Sequence, residues 1–159
     1  MLSMNRENVG AAIGRVPSGC AILSVTHQGR STGVLVSWVQ QAAFEPLMLS
    51  LALRRGRPAQ DLVDAGGRFL LNVMGEDSAP LFRHFGRGFT LDEDAFTGLS
   101  TQETEFGPLI LTCIAHIGCV VRSKVPAGDH DLYLVEAVAG RASQRAEPYV
   151  HTRNSGLTY

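Results

Sequence analysis

Two long strand-like segments near the C-terminal end of the chain constrain its fold more than any other feature. They cover residues 109–124 and 130–142, and residues 125–129 separate them. The Pro, Gly and Asp in this separating stretch are typical of a turn. The sequence therefore predicts one long antiparallel hairpin.

Shorter runs upstream predict further strands and small helices. Apolar and β-branched runs indicate strands at residues 18–27, 33–39, 48–53 and 69–74. Capping residues, an early Pro and a final Gly indicate helices at residues 3–14, 57–66 and 78–86. Connecting segments are expected at residues 28–32 and 87–107. In the first helix the apolar stripe is Val9, Ala12 and Ile13, and Ser3 or Asn5 is available as the cap.

Together these elements predict a mainly β protein. The chain shows no regular alternation of strands with helices, so a parallel sheet is not expected. About six antiparallel strands with two or three small helices favour a β-barrel, because closure removes exposed sheet edges. At 159 residues the chain is expected to form one domain, residues 1–159.

Charge and hydropathy argue against two classes of partner. The formal net charge is −1 and the isoelectric point is near 6.5, so the broad positive field that nucleic acid requires is not expected. No stretch approaches the roughly 18 consecutive apolar residues of a membrane span, and the first residues do not resemble a signal peptide. We expect a cytoplasmic protein that binds neither nucleic acid nor membrane.

The cysteines, Cys20, Cys113 and Cys119, lie inside apolar runs. An odd number of cysteines in such positions predicts buried, reduced thiols. The spacing of Cys113, His116 and Cys119 has the look of a metal cluster, but on a strand His116 points to the opposite face from the two thiols. No metal site is expected.

Residues 31–46 carry the strongest chemical signal. This segment combines a Gly, several hydroxyls, two neutral amides and Trp38, the only Trp. Such a mixture suits a flat heteroaromatic ligand, because planar rings need apolar contacts while ring edges need hydrogen-bond partners. A flavin is a ligand of this kind, and Ser37, Gln40 and Gln41 are candidates for its polar edge.

The same segment resembles the flavin-contacting part of the flavin reductase-like family, the FMN-binding split-barrel proteins. The resemblance is closest to standalone reductases and to the flavin reductase domain fused to flavodiiron proteins in photosynthetic bacteria. It continues through residues 69–73, 84–85, 93–96, 128–130 and 151–159. It implies a Greek-key antiparallel split barrel that binds FMN noncovalently, with FAD as an alternative.

Three groups of cofactor-binding residues are implied by this resemblance. The flavin ring is expected to contact Thr32, Gly33, Leu35, Val36, Ser37, Trp38, Gln40, Gln41 and Ala42. The phosphate is expected to contact Ser50, Arg54 and Arg57, which precede a predicted helix start. Phe85 is expected to wall the ring, and Arg87 to reach a phosphate. For the arginines the alternatives are a solvated basic turn and, at Arg87, an interaction with a helix C-terminus.

The tripeptide Gly128-Asp129-His130 supplies the catalytic candidate. In the family this tripeptide lies near the flavin and the approach of the nicotinamide, so His130 is expected to donate a hydrogen bond or a proton. The alternative is ordinary turn chemistry with a histidine satisfied inside the fold. The tail, residues 151–159, is expected to fold over the cofactor or a dimer interface.

The resemblance implies NAD(P)H-dependent flavin reduction by a homodimer, with electrons passing to an unknown protein or to free flavin. Two alternatives stay open: an FMN-binding electron carrier that does not oxidise NAD(P)H, and a split-barrel oxidase acting on a small substrate. The sequence contains no P-loop, nucleophile elbow or strand-linked dinucleotide-binding glycine motif. The choice between NADH and NADPH is not resolved by these residues.

Overall fold

Strands dominate the fold, as the sequence predicts. The computed structural model describes residues 1–2, 4–143 and 146–159. The helices are α1 (Arg6–Gly14), α2 (Pro58–Gly66) and α3 (Pro80–Gly86), with a 3-10 turn at Glu76–Ser78. The strands are β1 (Ser18–Gly19), β2 (Ala21–His27), β3 (Arg30–Val36), β4 (Val39–Ala43), β5 (Met48–Arg54), β6 (Arg68–Val73), β7 (Thr101–Gln102), β8 (Leu109–Ile110), β9 (Ala115–Ala127), β10 (His130–Ala142) and β11 (Val150–His151).

One antiparallel sheet contains seven of these strands, in the order β3-β2-β6-β9-β10-β5-β4. Pairs that are distant in sequence, such as β5 with β10, give the sheet its Greek-key connections. Strands β9 and β10 pair from Ala127 opposite His130 to Ala115 opposite Ala142, which confirms the predicted long hairpin. Its first strand begins at Ala115 and not at residue 109, because residues 111–114 form a turn that separates it from β8. Because the sheet curls around one core, buried residues of β3 and β5 belong to the same apolar cluster.

Two hairpin turns are tighter than the sequence predicts. Only Gly128 and Asp129 join β9 to β10, and only Gln28 and Gly29 join β2 to β3. Gln28, Gly29 and Gly128 have positive φ angles of 49°, 76° and 65°, which two-residue hairpin turns require. Both predicted connections are therefore too long.

A break between two strands is not evident in the sequence. Strand β3 ends at Val36 and β4 begins at Val39, so Ser37 and Trp38 lie between them. Strand β4 then pairs with β5 as the outermost strand of the sheet. The single strand predicted at residues 33–39 is wrong, because its pattern is compatible with a strand on both sides of the break.

Two apolar clusters fill the fold on opposite faces of β2. The barrel interior includes Leu23, Val25, Leu51, Phe69 and Val135. The second cluster, which packs under α3, includes Ile22, Met74, Leu81, Phe85 and Ile110. Strand β2 is buried on both faces because successive residues of a strand point in opposite directions.

All three cysteines are buried free thiols, as predicted. Burial raises their pKa, to about 11 for Cys20 and about 12 for Cys113 and Cys119. They are therefore protonated and unreactive at neutral pH. His116 is also buried, and its Nε2 lies 2.9 Å from the carbonyl oxygen of Ile110.

Helix α1 buries a different face from the expected one. Asn5 caps it, since its side-chain oxygen accepts hydrogen bonds from the amides of Glu7 and Asn8 at 2.7 and 3.4 Å. The other cap candidate, Ser3, lies outside the described residues. Contrary to the predicted apolar stripe, Val9, Ala12 and Ile13 are exposed, and the buried residues are Gly10 and Gly14.

Helix α2 begins at Pro58 and ends before Gly67, which has a φ of 69°. This arrangement confirms the predicted start and stop. In the described parts of the chain, no helix is long and apolar enough to cross a membrane.

Candidate active site

A cavity of about 530 Å³ lies between the C-terminal ends of β3 and β5. This volume lies in the range of sites that bind cofactors and other small ligands. Four segments form its walls: the exit of β3, the end of β5 with the turn that follows, helix α3, and the C-terminal tail at residues 151–159. No other segment of the described residues lines it.

The exit of β3 supplies an aromatic wall beside a hydroxyl. Leu35, Val36, Ser37 and Trp38 line the cavity in sequence. The carbonyl oxygen of Trp38 accepts a hydrogen bond from the amide of Ala52 at 3.1 Å, which fixes this segment to β5. The break between β3 and β4 therefore places a large apolar ring and a small polar group at the same opening.

The last residue of β5 and the turn that follows it, residues 54–57, form the arginine turn, which supplies positive charge. Arg54 and Arg57 line the cavity, and neither takes part in an ion pair within the described residues. Arg55 differs, because its Nε donates to Asp131 Oδ1 at 2.8 Å. Two of the three arginines are thus available to a ligand.

Helix α2 begins directly after the arginine turn. Arg57 occupies its N-cap position, and no side chain caps the helix there. The positive end of the helix dipole therefore adds to the charge of the two arginines. This corner of the cavity favours an anionic group.

Helix α3 forms a third, apolar wall. Phe82, Phe85 and Gly86 line the cavity, and Phe85 is only 1% exposed. Phe85 packs closely on β3, where a Cβ atom built on Gly33 would lie 2.8 Å from its Cε1. Gly33 therefore makes room for the wall and does not itself line this cavity.

The C-terminal tail closes the fourth side. Its lining residues are His151, Thr152, Arg153, Asn154, Ser155, Thr158 and Tyr159. The ring of Tyr159 stacks on Trp38 with 5.6 Å between centroids, and the Arg153 guanidinium lies 4.9 Å from the Trp38 ring centre. The tail thus covers the aromatic wall.

Close packing on α1 holds the tail in place. The amide of Arg153 donates to the Gly14 carbonyl at 3.1 Å, and the amide of Gly156 donates to the Gly10 carbonyl at 2.5 Å. A Cβ atom on Gly14 would lie 2.6 Å from the carbonyl oxygen of Arg153. The small residues of α1 are therefore buried because the tail crosses them.

His130 lies behind the cavity wall. It is 5% exposed, its Nδ1 lies 2.7 Å from Asp129 Oδ1, and its Nε2 bonds to the hydroxyl of Tyr159. Its ring also packs on Trp38 at 4.7 Å. His130 therefore reaches the cavity through Trp38 and Tyr159. Hydrogen bonding to His130 lowers the pKa of Asp129, and burial raises that of Tyr159 despite the nearby arginines.

The cavity brings together seven of the residues predicted from the sequence. They are Leu35, Val36, Ser37, Trp38, Arg54, Arg57 and Phe85. Eight others lie outside its lining: Thr32, Gly33, Gln40, Gln41, Ala42, Ser50, Arg87 and His130. Thr32 is buried, while Gly33 and Arg87 line a neighbouring cavity of about 260 Å³. The Gln40–Ala42 segment lies on the edge strand β4.

Sequence reasoning missed part of the lining. Phe82 precedes Phe85 by three residues on α3, and this helical spacing is the signal that places both on one face. Arg153 falls inside the tail, which the resemblance predicts to cover a cofactor, but the residue carries no signal of its own. Ala52 gives no chemical signal, because it lines the cavity through its position in β5.

The residues of this cavity fit a phosphorylated flavin. Trp38, Phe85 and the aliphatic side chains of β3 suit the faces of a planar ring, and Ser37 suits its polar edge. Arg54 and Arg57 suit a phosphate at the other end.

Comparison with known proteins agrees with this geometry. Residues 13–156 match the family described as "Flavin reductase like domain". This chain belongs to the flavin reductase-like family. Diflavin flavoprotein A 3 of Nostoc sp. is 38% identical over 93% of the chain, and diflavin flavoprotein A 1 of Synechocystis sp. is 33% identical over 93%. In both cases the match covers 26% of the relative, so this flavin reductase-like chain spans about a quarter of their length.

Solved structures with the same fold include two proteins of low sequence identity. NADH:FAD oxidoreductase SgcE6 of Streptomyces globisporus has a TM-score of 0.83 at 19% identity, with 89% of this chain and 86% of that chain covered. The styrene monooxygenase flavin reductase of Pseudomonas putida has a TM-score of 0.75 at 22% identity, with 89% and 90% covered. The predicted fold class, a mainly β split barrel, is confirmed.

Proposed function

We propose that this chain is an NAD(P)H-dependent flavin reductase domain that binds FMN noncovalently. One observation carries the proposal: a single cavity joins the Trp38 wall to Arg54 and Arg57, which have no ion-pair partner among the described residues. A planar ring with a phosphate group needs both features. Family membership and similarity to diflavin flavoproteins support a flavin as the ligand.

The ring end of the proposed site is formed by the β3 exit and α3. Leu35, Val36 and Phe85 offer apolar contacts, while the Ser37 hydroxyl and the amides of this irregular segment offer hydrogen bonds to the ring edge. In this proposal Trp38 and Tyr159 limit access from the side of the tail. The chain binds and orients the ring and excludes water from it.

The phosphate end is formed by the arginine turn. Burying a phosphate dianion without partners costs several kcal/mol, and Arg54, Arg57 and the start of α2 oppose that cost. FMN ends at this phosphate. FAD is the alternative, because the smaller neighbouring cavity shares Val34 and Arg57 with the first and offers space beyond the phosphate.

The bound flavin would supply the redox chemistry as the hydride acceptor, with C4 of the nicotinamide as the donor and solvent as the source of the accompanying proton. The protein need not act as a strong acid or base in this step. His130 holds the Tyr159 hydroxyl at one side of the cavity through a hydrogen bond. In this proposal the nicotinamide approaches the flavin from that side. A neighbour in fold, SgcE6, has been solved with NAD and FAD fragments, which supports a nicotinamide donor here.

We also propose that the chain works as a homodimer and passes electrons to a partner protein or to free flavin. Leu134 and Val138 on β10 and Phe44 and Leu47 after β4 are exposed apolar residues, the kind of surface that a second copy of a chain commonly covers. In this proposal the second copy packs on these residues. Light scattering measures the mass directly, and a Leu134→Glu variant is expected to shift a dimer toward monomer.

An anaerobic stopped-flow experiment tests the proposed activity. The chain is loaded with FMN and mixed with NADH or NADPH while the absorbance band of oxidised flavin is followed. Rapid bleaching with one nucleotide supports the reductase and identifies its donor. A flavin-loaded protein that stays oxidised contradicts the reductase and favours the electron carrier, and failure to bind any flavin contradicts both.

A further inference from the structure

A buried polar network lies directly beneath the arginine turn. Asp131 accepts two hydrogen bonds, from Arg55 Nε at 2.8 Å and from Gln60 Nε2 at 2.7 Å. Gln60 and Asp131 are 6% and 7% exposed. A buried carboxylate is stable only when charged and hydrogen-bonding partners surround it, so these contacts are tightly specified.

The network also fixes the backbone of the turn. Gln60 Oε1 accepts a hydrogen bond from the amide of Gly56 at 3.2 Å, while the amide of Arg55 donates to the Asp129 carbonyl at 3.2 Å. Gly56 has a φ of 81°, a conformation that favours glycine. The turn is therefore held at two successive amides and at one side chain.

Further contacts tie this network to the core of the barrel. The hydroxyl of Tyr133, a fully buried residue, donates to Asp64 at 2.7 Å and accepts from Gln60 at 3.1 Å. Lys124 Nζ lies 2.8 Å from Asp64 and 3.7 Å from Asp131. Hydrogen bonding to Arg55 is the main cause that lowers the pKa of Asp131, so this carboxyl is ionised at neutral pH.

The arrangement sorts three neighbouring arginines by role. The guanidinium of Arg55 is held by Asp131, whereas those of Arg54 and Arg57 line the cavity. Without Asp131 the turn would carry three uncompensated like charges, which repel one another and spread apart. The network neutralises one charge and leaves the other two on the cavity side.

We propose that Arg55, Gln60 and Asp131 are positioning residues that hold Arg54 and Arg57 ready for the phosphate of the flavin. This inference rests on the proposed function, and it adds the reason why the site would prefer a phosphorylated flavin over riboflavin. A turn whose backbone is already ordered loses little backbone entropy when Arg54 and Arg57 bind a ligand, so the network raises affinity for the phosphate alone.

The test compares FMN with riboflavin, which has the same ring and no phosphate. Binding is measured by flavin fluorescence titration for the wild type, Gln60→Met, Arg55→Met and Arg55→Lys. Gln60→Met removes the network contacts without changing any charge. The control is Arg68→Met, which removes a surface arginine of similar side-chain exposure, 45% against 47% for Arg55, from its pair with Glu105.

The wild type is expected to bind FMN more tightly than riboflavin. Gln60→Met and Arg55→Met are expected to weaken FMN binding by about tenfold and leave riboflavin binding unchanged. Arg55→Lys is expected to recover part of the FMN affinity, and Arg68→Met to change neither. Thermal unfolding of each variant separates a loss of folding from a loss of positioning, because a folding defect lowers the affinity for both flavins together.

Each other outcome overturns the inference in a distinguishable way. Equal affinity of the wild type for FMN and riboflavin contradicts a phosphate site at the arginine turn while leaving flavin binding intact. An unchanged ratio of the two affinities in Gln60→Met and Arg55→Met contradicts the positioning role alone. No binding of either flavin to the wild type contradicts the proposed function as well.

Discussion

The arginine turn and the C-terminal tail line the same cavity but are held in place differently. The arginine turn rests on a buried network in which Asp131 and Gln60 fix Arg55 and the backbone beside it. The tail is held by the short pairing of β11 with β1, by two backbone hydrogen bonds to α1, and by contacts of Tyr159 with Trp38 and His130. The arginine turn is therefore part of the barrel, whereas the tail lies on the surface of the barrel.

This difference separates two tasks within one site. Opening the arginine turn would expose the buried carboxylate of Asp131 and break its hydrogen bonds, so the anion-binding corner is ordered before a ligand arrives. Releasing the tail breaks few buried contacts, and segments of this kind open at low free energy. We expect the arginine turn to determine which flavin binds and the tail to control access to the flavin ring.

The largest expected effect on flavin affinity comes from removing charge from the arginine turn. Arg54→Met combined with Arg57→Met is expected to weaken FMN binding by about 100-fold, since two charge-assisted contacts are lost, with riboflavin binding unchanged. Isothermal titration calorimetry measures both ligands. The control is Arg30→Met combined with Arg68→Met, two surface ion-pair arginines. An equal loss of riboflavin affinity would show that the arginines contribute to the fold instead of the phosphate site.

The pH dependence of the free energy of unfolding tests whether the arginine turn rests on a buried hydrogen-bond network that includes Tyr133. Burial, with a contribution from Asp64, raises the pKa of Tyr133 from 10.0 to about 12. Below about pH 10 the hydroxyl is protonated in both states, so its stabilisation is complete; between about pH 10 and pH 12 the unfolded state ionises first and stability falls. Urea unfolding should show a loss of about 1–3 kcal/mol that Tyr133→Phe reduces.

Tyr149→Phe is the matched control for this measurement, because Tyr149 packs on Phe82 outside the network. Its alkaline loss of stability is expected to equal that of the wild type. If Tyr133→Phe and the wild type lose stability in parallel, the hydroxyl of Tyr133 is not part of a buried network.

A weaker effect is expected from adding one methyl group beneath the tail. In Gly14→Ala the new Cβ would lie 2.6 Å from the Arg153 carbonyl oxygen, so the tail must shift. The Arg153 and Gly156 amides should exchange with solvent roughly tenfold faster, and the emission of Trp38 should change as Tyr159 moves. Ala normally favours a helix over Gly, so any destabilisation reports the tail and not helix propensity.

The matched control for this change is Gly19→Ala. Gly19 pairs with β11 at the base of the tail, but a Cβ atom there meets no atom within 4 Å. Its emission and amide exchange are expected to match the wild type. The same response in both variants would rule out docking on α1 as the feature that holds the tail.

The smallest effect is expected from Tyr159→Phe. This change keeps the ring that stacks on Trp38 and removes the hydroxyl that bonds to His130. Flavin affinity should fall by no more than about fivefold, with little change in the emission of Trp38, because one partly buried hydrogen bond is lost. An emission change as large as that of Gly14→Ala would mean that the hydroxyl, and not the stacked ring, holds the end of the tail.

The sequence predicts the arginine turn better than the docking of the tail, because the sequence signals for the turn are local. Pro58 and Gly66 delimit α2 as predicted, and Arg54 and Arg57 are neighbours of that helix in the chain. Their placement in one cavity follows from a short turn. Asp131, which pairs with Arg55 alone among the three arginines of the turn, is 76 residues from it in the chain. No sequence signal connects these two residues.

The docking of the tail depends on contacts between the two ends of the chain. Gly10 and Gly14 are buried because they are small and the tail crosses them, whereas the apolar periodicity of the helix predicts burial of Val9 and Ile13. The break at Ser37 is hidden for a related reason, since residues on either side continue a strand-like pattern. That break places Gln40 and Gln41 on the edge strand β4 and outside the lining of the cavity.

Hydrogen-exchange mass spectrometry with and without FMN tests the central claim most directly. If FMN binds in the cavity described, exchange should slow in residues 34–38, 52–57 and 151–159 together, with the tail showing the largest change because it is the least protected before binding. Slower exchange elsewhere in the chain, with these three segments unchanged, would contradict the placement of the flavin site between the arginine turn and the tail.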